Sequence, residues 1–155
     1  MARSSLGSVV LAAALASCGG EASLSGDSEC EATARYPDAI GCAYVYGKVT
    51  DTNGISLDGV DGLIRLGDEC VCSSPRVEVD DNGVYSTIVH RLPRVTGFSD
   101  TATGTVQVLA SAAKYPRHVT GAAYFDTSRV VLQFVPIGTT PPALQVNLRI
   151  PLPRP

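Results

Sequence analysis

The chain has 155 residues, of which 45% are hydrophobic and 17% are charged, and its formal net charge is -3. This length gives room for one domain with a single core, and the composition is that of a globular rather than a disordered chain. The negative charge and the scattered Lys and Arg residues provide no basic surface, which argues against nucleic acid as a partner.

The N-terminus has the pattern of an export signal. Arg3 supplies a positive charge, and an apolar run rich in Ala and Val follows over residues 6–15. A membrane-spanning helix needs ~20 apolar residues, so this shorter run argues against a permanent transmembrane anchor.

Leu15, Ala16, Ser17 and Cys18 resemble the lipobox of bacterial lipoproteins at all four positions. The resemblance implies that residues 1–17 are a cleaved signal peptide and that Cys18 becomes an acylated N-terminus carrying a diacylglycerol. Acyl chains contribute about 0.8 kcal/mol per buried CH₂, so they would hold the domain to a membrane of the bacterial cell envelope. Gly19 stands where inner-membrane retention would use Asp, which by analogy favours the outer membrane. The alternative is an ordinary secretory cleavage.

The other four cysteines, Cys30, Cys42, Cys70 and Cys72, are an even set in an exported chain, which predicts two disulfides. A bridge between Cys70 and Cys72 would span one intervening residue and strain the backbone. We therefore expect each of these two to pair with Cys30 or Cys42, with the partner left open. A zinc site is the alternative, but the usual C-x₂-C pairs are missing, and no metal is predicted.

Composition divides the mature chain into three parts. Residues 18–41 form the lipidated N-terminus and a linker, residues 42–150 a β-domain, and residues 151–155 a proline-rich tail. The domain opens with a strand whose apolar residues alternate with Tyr44 and Tyr46. These tyrosines are interpreted either as a sugar or peptide platform or as a face covered by the linker.

Further strands are predicted over residues 60–66, 106–112, 130–135 and 144–150. RVEVD and VYSTIVH flank Asp81, Asn82 and Gly83, a strong hairpin signal. With no long helical pattern, the strands and their turns predict an all-β fold, an antiparallel β-sandwich.

Three stretches, GKVTDTNGISLDGVDGLIRL, VDDNGVYS and SAAKYPRHV, resemble the carboxypeptidase regulatory-like, or transthyretin-like, domain. The resemblance spans about residues 44–135 and implies a sandwich of about seven strands that is usually non-catalytic. The chain departs from the family by the insertion GDECVCSSPR and by a long C-terminal addition.

The sequence carries no motif for catalysis. His90 and His118 lie outside metal-binding motifs, no serine stands in G-x-S-x-G, and phosphate-binding loops are missing. Turn residues such as Asp51 and Asp80 could supply oxygen ligands for Ca²⁺, but carboxylates that bond their own backbone are the expected role. We therefore predict no catalytic residue and no cofactor, and we expect the protein not to be an enzyme.

These features predict a membrane-tethered lipoprotein that is a structural or protein-interaction module of the envelope. Its expected partners are the membrane, through the lipid on Cys18, and another protein, bound by an edge strand or by loops. The alternative is a module that binds a small ligand such as a peptide, a carbohydrate or a lipophilic molecule, for which a concave apolar pocket would be required. The sequence does not identify ligand-binding residues.

Overall fold

The alternating pattern of the sequence forms strands in the structure, a computed structural model that describes residues 29–67, 70–93 and 100–153. The signal peptide, Cys18 and the first part of the linker lie outside these residues. Within the described part of the chain, no helix is long and apolar enough to cross a membrane. The strands are β1 (Gly41–Asp51), β2 (Val60–Leu66), β3 (Arg76–Glu78), β4 (Val84–Arg91), β5 (Thr101–Ala110), β6 (Phe125–Gln133), β7 (Val135–Pro136), β8 (Ala143–Gln145) and β9 (Leu148–Ile150).

Two sheets pack face to face as a β-sandwich, which confirms the predicted fold class. In the first sheet β1 is central, with β4 antiparallel on one side and β7, β8 and β9 on the other. The exceptions to the predicted antiparallel pairing are β8 and β9, which run parallel to β1. After β7 the chain turns back at the end where β1 begins, so its last two strands run in the direction of β1.

The second sheet has the order β3-β2-β5-β6, and all its neighbours are antiparallel. Strand β5 is central and strand β6 forms one edge. The order follows from two long connections, since residues 67–75 join β2 to β3 and residues 111–124 join β5 to β6.

The predicted hairpin at Asp81, Asn82 and Gly83 is only partly correct. The turn is present, because Gly83 N–H donates to Asp80 O at 2.9 Å and Gly83 adopts a φ of 74°. However, β3 pairs with β2 and β4 pairs with β1, so the two flanking strands lie in different sheets. The turn is therefore a crossover between the sheets, and its local sequence is the same as that of a hairpin.

The core lies between the sheets and is built mainly from small branched residues. Alternate residues of β1 and β5 are buried, as the period-two pattern predicts. In β6 the predicted strand over residues 130–135 is buried on one face only, since Leu132 is 0% exposed and Val131 is 60% exposed. The fully buried side chains include Val45, Val49, Ile64, Val89, Val106, Val108, Leu132 and Ile150.

Candidate functional site: the β6 edge and the side cleft

The structure corrects the expected pairing of the cysteines. Cys30 and Cys42 lie at disulfide distance with their Cα atoms 5.7 Å apart, and Cys70 and Cys72 do so at 5.3 Å. The expectation that Cys70 and Cys72 would each join Cys30 or Cys42 is wrong, because the structure pairs Cys30 with Cys42 and Cys70 with Cys72. Cys42 is the second residue of β1, beneath the N-terminal segment, whereas Cys70 and Cys72 lie on the connection between β2 and β3. Both pairs lie at the end of the sandwich where β1 begins, which we call the tether pole.

The N-terminal segment, residues 29–40, is attached to the tether pole by several contacts. Cys30 N–H donates to Thr139 O at 2.9 Å, and Cys30 O accepts from Gly138 N–H at 2.8 Å. Glu31 O lies 3.1 Å from His90 Nε2, and the ring of Tyr36 lies 5.1 Å from the ring of His90. The chain that leads from Cys18 therefore reaches the domain at this pole.

The tyrosine face of β1 remains partly exposed. Tyr44 and Tyr46 stack with their ring centroids 6.0 Å apart, and both side chains are half-buried. The contacts of the N-terminal segment fall instead on Cys42 and His90, which form the next cross-strand pair along β1 and β4. The expectation that the linker covers these tyrosines therefore does not follow from its described contacts.

The acidic turns are built from carboxylates that bond their own backbone. Asp51 Oδ1 accepts from the N–H groups of Asn53 and Ile55, both at 2.8 Å. Asp80 Oδ1 does the same with Asn82 at 2.9 Å and Val84 at 2.8 Å. The expectation of a turn-forming role is confirmed for these two residues. Among the residues that the structure describes, no group of three or more His, Cys, Asp or Glu side chains is placed to hold a metal ion.

The two histidines lie far apart in the fold. His90 is buried beneath the N-terminal segment, and its Nδ1 has no hydrogen-bond partner among the described residues. His118 is exposed and its ring contacts Tyr124, with centroids 3.8 Å apart. The structure does not bring them together.

Strand β6 presents a free edge, which we define as the backbone of residues 129–133. In the antiparallel ladder, alternate residues of an edge strand point their N–H and C=O groups away from their neighbour. Phe134 N–H donates to Asp100 O at 2.7 Å, and Tyr124 O accepts from Ala110 N–H at 2.8 Å, so the even-numbered residues face β5. The groups of Arg129, Val131 and Gln133 therefore point outward, and no partner for them is present among the described residues.

The other end of β6 is partly occupied. Asp126 Oδ1 accepts from Thr127 N–H at 2.8 Å, and its Oδ2 accepts from Arg149 N–H at 2.7 Å. This carboxylate satisfies the outward donor of Thr127 and links β6 to β9. An added strand therefore finds one of its donors already engaged at this end, but not at residues 129–133.

Strand β4, the edge of the first sheet, is better protected. Its outward groups are engaged at one end, where Val84 O accepts from Asp80 N–H at 2.9 Å. At the other end His90 O accepts from Ser73 N–H and His90 N–H donates to Ser73 Oγ, both at 2.8 Å. The segment before β3 thus covers one end of this edge, and the open run between the two engaged positions is shorter than that of the β6 edge.

A cleft of about 140 Å³ lies beside the β6 edge, between β6 and β8. We call it the side cleft. Its walls are mostly apolar and comprise Ala43, Tyr44, Val131, Leu132, Gln133, Pro142, Ala143 and Leu144. A strand that added to β6 would run along the mouth of the side cleft, with alternate side chains directed into it.

No family model, no curated protein and no solved structure matches this chain. The assignment of the site therefore rests on the residues of the chain itself.

No motif in the sequence marks the β6 edge directly. The strand itself was predicted in part, but its position at the end of a sheet depends on strand order, which pairs residues far apart in the sequence. The alternation of Thr127, Arg129 and Gln133 with small or apolar residues was the available signal, since it indicates that one face of β6 is solvated.

Proposed function

We propose that the protein is a lipid-anchored, non-catalytic module of the bacterial envelope that captures an extended segment of a protein partner at the β6 edge. The observation that carries this proposal is the set of outward backbone groups of Arg129, Val131 and Gln133, which have no partner among the described residues and lie beside the apolar side cleft. In strand addition, main-chain hydrogen bonds provide affinity and pockets for alternate side chains provide specificity. The β6 edge and the side cleft supply these two elements.

The anchor is supported by two features of the N-terminal region. The lipobox-like residues Leu15 to Cys18 provide the attachment chemistry, and the outer membrane is the favoured location. The chain then meets the domain at Cys30, which lies at disulfide distance from Cys42 in the central strand of the first sheet. A short linker and an attached first segment suit a domain held close to a membrane surface.

The resemblance to the carboxypeptidase regulatory-like family remains part of the proposal. It is supported by the roles of its motif residues, because Asp51 and Asp80 form turns and Gly47 and Tyr85 pack against each other in the first sheet. These roles are structural, so the resemblance adds support for the fold rather than for a ligand.

A small-ligand site at the side cleft is less well supported. Sites for drug-sized ligands are usually ~300–1,000 Å³ and enclose most of the ligand. The side cleft has about 140 Å³, which suits one apolar side chain rather than a whole ligand.

Labelling with palmitate in cells tests the anchor. Cys18→Ala is expected to abolish incorporation of the label, since the only proposed acylation site is removed. The double variant Cys70→Ala/Cys72→Ala is the matched control and should keep the label. Label that persists in Cys18→Ala would contradict the anchor.

Site-specific photocrosslinking in the native envelope tests the interaction. A photoreactive residue at Gln133, on the β6 edge, should capture a protein partner, and the same residue at Lys48, which is exposed on the first sheet, should not. Val131→Pro should remove the adduct, because proline lacks the outward N–H but leaves the ladder with β5 intact. Val131→Lys is the comparison for Val131→Pro, because it changes the same side chain but keeps the backbone N–H. A thermal melt of each variant shows whether a lost adduct reflects loss of binding or loss of folding. Equal capture at both positions, or capture of a second copy of the chain, would contradict the proposal.

A further inference from the structure

We infer that Arg129 selects an acidic residue in the captured segment, an inference that rests on the function proposed above. The outer face of the second sheet carries one basic cross-strand row. Arg65 on β2 pairs with Thr105 on β5, and Thr105 pairs with Arg129 on β6. With neighbouring strands ~4.8 Å apart, the two arginine Cα atoms lie about 10 Å apart on the same face.

The guanidinium groups of this row have no acidic partner in the described part of the chain. The ion pair found there joins Lys114 and Asp58, at the opposite end of the sandwich. Arg65 and Arg129 are both exposed, and they border an open depression of about 440 Å³ that also contains Thr103 and Thr105. On the same face, Asp61 precedes Arg65 by four residues along β2, a separation of about 14 Å that exceeds the screening length at physiological salt.

The register of an added strand fixes which of its side chains meets Arg129. An antiparallel segment that bonds the outward groups of Arg129, Val131 and Gln133 places one residue directly opposite each of them. The side chain opposite Arg129 lies on its face of the sheet, about 5 Å away, and continues the basic row. A carboxylate at that position would therefore meet an arginine that has no acidic partner among the described residues.

The adjacent positions add an apolar requirement. The residue opposite Val131 lies on the outer face beside a side chain that is 60% exposed. The residue opposite Leu132 points the other way, toward the side cleft and its walls Ala143 and Leu144. The segment is thus expected to have two consecutive apolar residues and, two positions after the second of them, Asp or Glu.

A second copy of the chain does not meet these requirements. If β6 of a second copy paired with the β6 edge, the residues of that copy turned toward the side cleft would be Val130 or Leu132. These side chains are 6% and 0% exposed, because they lie in the core of their own molecule. They are not available to enter the cleft of a partner. A strand centred on Arg129 would also place two arginines opposite each other, which is destabilising.

Selection from a displayed library of nine-residue peptides, with the mature full chain as the target, tests the inference. Enriched sequences should carry Asp or Glu two positions from an apolar pair. Replacing that acid by Lys in an enriched peptide should weaken binding by about threefold to tenfold, the range for exchanging an attractive for a repulsive cross-strand pair. Arg129→Glu should reverse the preference, and Arg76→Glu, on the same face but at the other edge of the sheet, should not.

The outcomes separate the inference from the function on which it rests. Enrichment of peptides without an acidic preference would overturn the inference while the β6 edge remained the binding site. The same holds if Arg129→Glu leaves unchanged the ratio of the affinities of the Asp and Lys peptides. Peptides whose binding is unaffected by Val131→Pro, or a selection that enriches nothing, would overturn the edge as the site and the inference with it.

Discussion

A contact among Gly47, Tyr85 and Val146 joins β1 and β4 of the first sheet to the connection between β8 and β9. Gly47 pairs with Tyr85, whose side chain is 2% exposed and whose hydroxyl donates to Val146 O at 2.5 Å. A Cβ on Gly47 would lie 1.9 Å from the same carbonyl oxygen. Burial raises the pKa of the Tyr85 hydroxyl, so it stays protonated and remains a donor. The glycine and the tyrosine are therefore both needed for the connection between β8 and β9 to lie against β1.

Tyr85→Phe is expected to lower the free energy of unfolding by about 1–3 kcal/mol, because the buried Val146 carbonyl loses its side-chain donor. Tyr46→Phe is the matched control, since its exposed hydroxyl makes only a 3.5 Å contact with Gln145. Urea unfolding of both variants measures the difference. Equal destabilisation of the two would show that the Tyr85 hydrogen bond contributes little.

Asp51 is expected to contribute to the acid sensitivity of the fold. Hydrogen bonds from the backbone N–H of Ile55, and then of Asn53, hold the pKa of Asp51 below its usual value of 3.8. A lowered pKa means that the contribution is complete above the unfolded pKa and is lost as pH falls through the folded value. Asp51→Asn keeps an acceptor that does not titrate, so its melting temperature should fall less than that of the wild type between pH 5 and about 2. Parallel pH curves for the two proteins would contradict this role.

At the level of strands, the sequence predicted where strands form better than how they pair. The alternation in β1, β2 and β5 is a local property, and the structure has β1 and β2 close to the predicted bounds, whereas β5 begins at Thr101, ahead of the predicted 106–112. The crossover at Asp80 to Gly83 and the parallel pairing of β8 with β1 depend on contacts between distant residues. A turn sequence specifies a reversal, but it does not specify which sheet receives the next strand. For the same reason the β6 edge could not be recognised before the strand order was known.

Gly83 should be less tolerant of substitution than Gly54, although both have positive φ angles, 74° and 82°. Alanine at either position is strained by about 1–2 kcal/mol. At Gly83 the new Cβ would also lie 2.6 Å from Val49 O, whereas at Gly54 it would meet nothing within 4 Å. Thermal unfolding should therefore place Gly83→Ala well below Gly54→Ala. Similar melting temperatures would indicate that the turn can move away from β1.

For the whole molecule, the cysteines were predicted to be paired but not with these partners. Avoiding a bridge across one residue is a sound local rule, yet the fold separates Cys70 and Cys72 from Cys30 and Cys42 and leaves each pair together. The pairing depends on which cysteines the folded chain brings within disulfide distance. Spacing in the sequence does not contain that information.

Replacing Cys30 and Cys42 by Ser should loosen the N-terminal segment. A bridge that closes a loop of about this length contributes about 2–3 kcal/mol in the chain-entropy model. Trypsin should then cleave faster after Arg35, an exposed residue of the segment, while the sandwich remains folded. The double variant Cys70→Ser/Cys72→Ser is the control and should leave that cleavage rate unchanged. Unaltered cleavage in the first variant would mean that the hydrogen bonds of Cys30 and Glu31 hold the segment by themselves.

The position of Cys42 in β1 has a mechanical consequence for a tethered chain. A force applied through the linker would act on Cys30 and pass through the Cys30–Cys42 bridge into β1. This strand is bonded to β4 on one side and to β7, β8 and β9 on the other. Tension along the axis of β1 would load these hydrogen bonds together, in shear, instead of opening them one after another. The linker would therefore load the whole first sheet, and the force would reach β6 through the core, through Phe134, which joins β6 to β7, and through the hydrogen bond between Asp126 and Arg149.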